Sequence, residues 1–152
     1  MGLDWAQRGK THIGALNAAQ SPTWQEVRIL VYTEAMSKAK QKGTTYETQV
    51  RTHLNDNGFP NAERQVLHGN KDTGDIKGIA SPTSKVILQC KNHQTMQLSS
   101  WLNDTEEQAN NANALGILIH KRKGYGENKF NQQYATMTLE TLLKLLKEAG
   151  YQ

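Results

Sequence analysis

The chain has 152 residues, enough for one ordinary domain with a buried core. Only 36% are apolar and none of the apolar runs approaches the ~20 residues of a membrane helix, which excludes a bilayer-spanning reading; no secretory signal is visible. The net charge is +4, and a single cysteine, Cys90, excludes an internal disulfide and a cysteine-built zinc site, so a reducing cytoplasm is the expected compartment.

Residues 1–35 and 36–152 read differently. In the first stretch basic and acidic residues balance (Arg8, Lys10 and Arg28 against Asp4, Glu26 and Glu34), so the whole positive excess lies in 36–152. Val27 to Tyr32 is a β-branched and aromatic run that predicts a strand. Met36-Ser37-Lys38-Ala39-Lys40 then resembles a protein start followed by a mobile basic arm. Residues 1–35 are therefore read as an extension or leader and 36–152 as the functional domain.

From Thr44 the spacing of Tyr46, Val50 and Leu54 predicts a helix with one apolar stripe, ended by Asn57-Gly58 and Pro60. Strands are predicted over 63–68, 75–80 and 85–91, joined by short turns into an antiparallel meander. A helix over 99–114, with Leu102, Gln108 and Ala109 among its inner residues, precedes the apolar run 115–120, which fits a strand buried on both faces. A polar loop over 121–128, a last strand over 132–138 and a helix capped by Thr138, with Leu139, Leu142, Leu143 and Leu146 along one side, complete the chain. The order α-β-β-β-α-β-β-α gives an α/β class with a mixed central sheet flanked by helices.

Alternation along Val86–Lys91 puts Ile87, Gln89 and Lys91 on one strand face. An amide oxygen and an ammonium thus stand side by side at the end of an apolar strand. Asp75 opens the neighbouring strand, and Glu47 sits three residues before Val50, close to the stripe of the first helix. Each residue has an ordinary reading: Asp75 as a turn residue, Lys91 as a strand-end lysine reaching water, Glu47 as a first-turn acid and Gln89 as a satisfied buried amide. Together they can hold a hard cation that takes oxygen ligands and keeps several waters, beside a lysine that offsets charge on a phosphorane. The five histidines are dispersed, which argues against zinc.

Gly43-Thr44-Thr45-Tyr46-Glu47, Gly74-Asp75-Ile76 and Gln89-Cys90-Lys91 resemble, in order and spacing, the three motifs of archaeal-type Holliday junction resolvases, a family of the PD-(D/E)xK nuclease superfamily. The resemblance covers about Lys42 to Lys121. It implies a restriction-endonuclease-like core and a homodimeric, structure-selective DNA endonuclease cutting four-way junctions. It implies Mg2+ (with Mn2+ as substitute) held by Glu47, Asp75, Gln89 and the backbone carbonyl of Cys90, with Lys91 as the catalytic lysine. A phage- or prokaryote-encoded protein acting in that cytoplasm follows from the same likeness. The family carries glutamate where this chain has Gln89 and proline where it has Gly74; Asp72 is a nearby carboxylate placed to compensate, and Gln108 resembles an accessory glutamine of such nucleases. Lys38, Lys40, Lys42, Lys121, Arg122 and Lys123 are candidate DNA contacts, His93 and His120 lie near the site, and Trp101 reads as core or dimer contact. Two alternatives stay open: another DNase of the superfamily, restriction-like or recombination-associated, and a DNA-binding module with a disabled site.

Overall fold

The computed structural model describes residues 21–66 and 71–152. By packing, the chain divides into two units, residues 1–36 and 37–152. The first helix, α1, is Trp24–Asp56. The strand expected over Val27–Tyr32 is therefore helical, and the helix expected from Thr44 begins at Trp24. Its start is a capping box. Thr23 Oγ1 accepts from the Glu26 amide over 3.3 Å, and Glu26 Oε2 accepts from the Thr23 amide over 2.8 Å. That reciprocal cap, followed by the helix formers of 34–40, outweighs the β-preference of the run. Lys38, Lys40 and Lys42 accordingly lie on α1, exposed, instead of on a mobile arm. Trp24, Ile29, Leu30, Val31 and Tyr32 are exposed as well.

Unit 37–152 is built on a five-stranded sheet in the order β1 (Glu63–Arg64), β2 (Ile76–Ala80), β3 (Lys85–Lys91), β4 (Leu115–His120), β5 (Tyr134–Thr136). The expected meander is present: β1 pairs with β2 and β2 with β3, both antiparallel. Strand β1 is shorter than the expected 63–68, whose last two positions lie outside the described residues. The next helix, α2 (Leu98–Ala112), carries the chain across to β4, which runs parallel to β3, and β5 returns antiparallel. Gln132, expected to open the last strand, belongs to a 3-10 segment, Glu127–Gln132. The sheet is thus mixed and open, flanked by helices.

Strand alternation assigns the two faces of β3. Tyr46 and Val50 of α1 pack with Ala62, Ile76, Leu88 and Cys90, and Ile117 and Ile119 join them. Their register partners are Leu88 and Cys90, so α1 covers that face. On the other face Ile87, Gln89 and Lys91 pair with Gly116, Leu118 and His120, and α2 supplies Trp101, Thr105, Gln108 and Ala109. A Cβ on Gly116 would lie 2.9 Å from the Thr105 carbonyl oxygen, so glycine there permits the close approach of α2. Asn113, in the left-handed region at φ 49°, ends α2. The last helix, α3 (Leu139–Glu148), starts where Thr138 accepts from the Thr141 amide, as the sequence predicts. Its leucine stripe does not point inward: Leu139 is 70% exposed, Leu142 and Leu143 are exposed, and Thr141 is the buried residue. No described helix is long and apolar enough to cross a membrane.

Candidate functional site

Strand β3 delivers Gln89, Cys90 and Lys91 to the end of the sheet where α1 and the loop before β2 meet. Ile76 is the register partner of Leu88, so Asp75, one residue earlier, falls on the Gln89 face. The Asp75 amide donates to the Leu88 carbonyl over 2.9 Å, and the Cys90 amide donates to Asp75 Oδ2 over 2.7 Å. The carboxylate is thereby tied to the backbone of the strand that carries Gln89 and Lys91. Gly74 precedes it at φ +94°, a conformation closed to proline, whose φ is locked near −65°. The absence of the motif's proline is therefore built into the backbone turn.

Glu47, Asp75, Gln89, Cys90 and Lys91 line one cleft of about 620 Å3, together with Lys40, Lys42 and Arg64. Burial pushes the Asp75 carboxyl up to about 6; the Cys90 N–H opposes this, while the Glu47 carboxylate adds to it. The Cys90 thiol is also pushed up, first by burial and then by the charges of Asp75 and Glu47. Both shifts come first from desolvation, with neighbouring carboxylates adding to them and the Lys91 ammonium opposing them. Gln89 is 6% exposed, and its Oε1 accepts no hydrogen bond from the described residues. A buried amide oxygen without a donor costs about 1–3 kcal/mol, a cost that a bound donor or cation would relieve.

Among the described residues no group of three His, Cys, Asp or Glu side chains comes together. Two carboxylates and an amide stand here instead, the amide where the resemblance places a third carboxylate. The donor set is all oxygen and fits magnesium better than zinc. Asp72 lines the same cleft and its charge adds to the upward shift of Asp75, but both its oxygens already accept hydrogen bonds. Its Oδ1 accepts from the Gly74 amide over 3.0 Å and its Oδ2 from Gln108 Nε2 over 2.8 Å, while Asn111 Nδ2 donates to its carbonyl over 3.0 Å. Asp72 and Gln108 thus brace the turn that presents Asp75.

Arg64 was not singled out by the sequence, yet its Nε donates to Glu47 Oε2 over 2.8 Å. The signal lay in the strand pairing that sets Arg64 against Ile76, next to Asp75. Beside the carboxylate cleft lies a second one of about 950 Å3, where Lys42 and Lys91 meet Lys121, Arg122 and Lys123. Lys40 and Lys42 border the first cleft, whereas Lys38 borders neither. Lys121 Nζ sits 5.7 Å from the Tyr46 ring centre, and the Arg122 guanidinium 3.8 Å from that of Tyr125. Trp101 is buried between His93 and His120, ring centres 5.4 and 6.2 Å away, which makes it a packing residue. His120 is buried, its Nε2 is 3.0 Å from Thr136 Oγ1, and desolvation lowers its pKa. No protein family, curated protein or solved structure matches the chain.

Proposed function

We propose that this chain is a magnesium-dependent DNA endonuclease of the PD-(D/E)xK type, acting as a homodimer on four-way junctions. The observation that carries the reading is the buried, unpartnered Oε1 of Gln89, set in one cleft with Asp75 and Glu47 and two residues from Lys91. Magnesium, when bound, polarises the phosphate and lowers the pKa of its water. The protein's part is placement. The Cys90 amide fixes the Asp75 carboxylate through Oδ2, and Asp75 would be the first carboxylate to hold the metal. Gln89 adds a neutral oxygen, Glu47 a second carboxylate, and the Cys90 carbonyl is the backbone donor beside them. Lys91 orients the attacking water and offsets the charge that builds on the phosphate oxygens. The basic side chains of the second cleft take the flanking phosphates.

Nicking two opposed strands needs two symmetric sites, which a C2 dimer provides. The junction preference rests on the motif resemblance; the cleft chemistry serves equally a restriction-like or recombination-associated DNase. The neutral amide at Gln89 favours one second reading, a DNA-binding module with a weakened metal site. Incubating the protein with labelled four-way junction and with plain duplex, each with and without magnesium, tests all three. Paired nicks in the junction that need magnesium support the resolvase. Equal cutting of duplex points to the other nucleases, and retention without cutting points to the binding module.

A further inference from the structure

Strands β3 and β4 run parallel with Lys91 opposite His120, so the segments that follow them, 92–97 and 121–126, leave the sheet at the same edge. They enclose the second cleft, which shares Lys42, Lys91, Asn92, His93 and Gln94 with the carboxylate cleft. The two clefts are therefore continuous, so a chain-like ligand seated in the first would reach the second. The chemistry changes on the way. Among the described residues no aspartate or glutamate lines the second cleft. A row of rings runs along it instead: His93 to Trp101, 5.4 Å between centres; Trp101 to His120, 6.2 Å; His120 to Tyr134, 5.0 Å. Trp101 and His120 are buried, whereas His93 is exposed and Tyr134, with the Arg122 guanidinium 5.3 Å from its ring centre, is 43% exposed, so the two ends of the row are the rings a ligand can reach. Two amide side chains, Asn92 and Gln94, stand where the clefts meet.

The far wall is held by Gln133. Its Oε1 accepts from the Arg122 amide over 2.8 Å and its Nε2 donates to the Tyr125 carbonyl over 2.9 Å, clipping the 122–125 turn from both ends. Phosphates need cations and no rings, and the bases of an intact duplex are stacked and out of reach. Rings and amides next to a phosphate cleft suit a base that has left its stack.

We infer that the second cleft is a binding site for an unstacked nucleobase of the cut strand, held against Tyr134 and His93 beside the phosphate that is cut. The inference rests on the nuclease reading for its direction and narrows the substrate class to DNA in which a base can leave its stack at the cleavage point, as at a branch, flap or overhang.

The test is fluorescence anisotropy of the full chain, without divalent metal, on a fluorescein-labelled duplex with a single-stranded overhang and on a blunt duplex of equal length. The overhang is expected to bind about tenfold tighter. Tyr134→Leu is expected to raise the overhang Kd by roughly 5- to 100-fold, the range for one lost base–aromatic stack, and to leave the blunt duplex unchanged. Tyr134→Phe retains the ring and keeps the preference. His93→Ala, at an exposed position that does not threaten the fold, is expected to weaken the overhang alone. Equal binding of the two DNAs, or equal losses on both in the variants, overturns the inference. Because no metal is present, the outcomes separate: overhang-selective binding by a chain that cuts nothing overturns the nuclease reading alone, and junction cutting without overhang preference overturns this one alone.

Discussion

Arg64 holds Glu47: its Nε meets Oε2 over 2.8 Å, with both side chains partly exposed. In the proposed site the guanidinium would occupy an oxygen that magnesium needs and would add positive charge beside it. Arg64→Gln is therefore expected to tighten magnesium binding by roughly two- to fivefold, the worth of a partly exposed pair. Isothermal calorimetry of metal binding reads this directly. Unchanged or weaker affinity would show that the pair does not compete with the metal.

Lys91 acts on the transition state in the proposed mechanism. Lys91→Ala should lower junction cleavage by roughly 10²- to 10³-fold while binding of the junction in calcium stays near that of the natural chain. Cleavage within a few-fold of normal would remove Lys91 from the chemistry.

Gln89 sets the charge of the site. Gln89→Glu adds a negative charge next to the cation and should lower the magnesium concentration for half-maximal cleavage by roughly three- to tenfold. Asp75→Asn should be inactive at any magnesium concentration. Full activity of Asp75→Asn, or indifference of both variants to magnesium, refutes the site.

The metal-free protein should lose stability as pH rises. Asp75 titrates at about 6 in the fold against an ordinary 3.8, so the native state holds its proton more tightly than the unfolded chain. Its contribution is complete below about pH 4 and is lost by about pH 6, an effect of about 2–3 kcal/mol for a shift of this size. Urea melts across that window should show the slope in the natural chain and not in Asp75→Asn, and magnesium should restore stability above it. Parallel slopes for the two proteins would refute the burial of Asp75.

A chain beginning at Met36 should fold and cut as the full chain does, because every buried core residue among those described lies at or beyond Tyr46. Circular dichroism melting and the junction assay check this. Loss of a cooperative melt would make residues 1–35 part of the fold.

The sequence made local features legible and hid distant ones. Thr138 declares its helix through one side chain and the amide three residues on. The face shared by Gln89 and Lys91 follows from alternation within a single strand. Val27–Tyr32 misleads because β-branched residues dominate a short window, while Thr23 and Glu26, which decide the outcome, lie outside the run. Asp72 looked like a spare ligand because sequence shows a carboxylate without showing that Gln108, on α2, already donates to it. The second cleft was invisible for a similar reason: it exists only through the pairing of β3 with β4 across a helix, which no local pattern announces.

The parallel pairing of β3 and β4 also divides what selection is free to alter. Asp75, Gln89 and Lys91 sit in the central ladder, where a change damages chemistry and core together. The segments 92–97 and 121–126 lie beyond the strand ends, the second held from Arg122 to Tyr125 by Gln133 instead of by the ladder. Their outer positions can change while the strands that carry the proposed site stay as they are. If the proposed function holds, exchanging those two segments would alter which nucleic acid is met without touching Asp75 or Gln89.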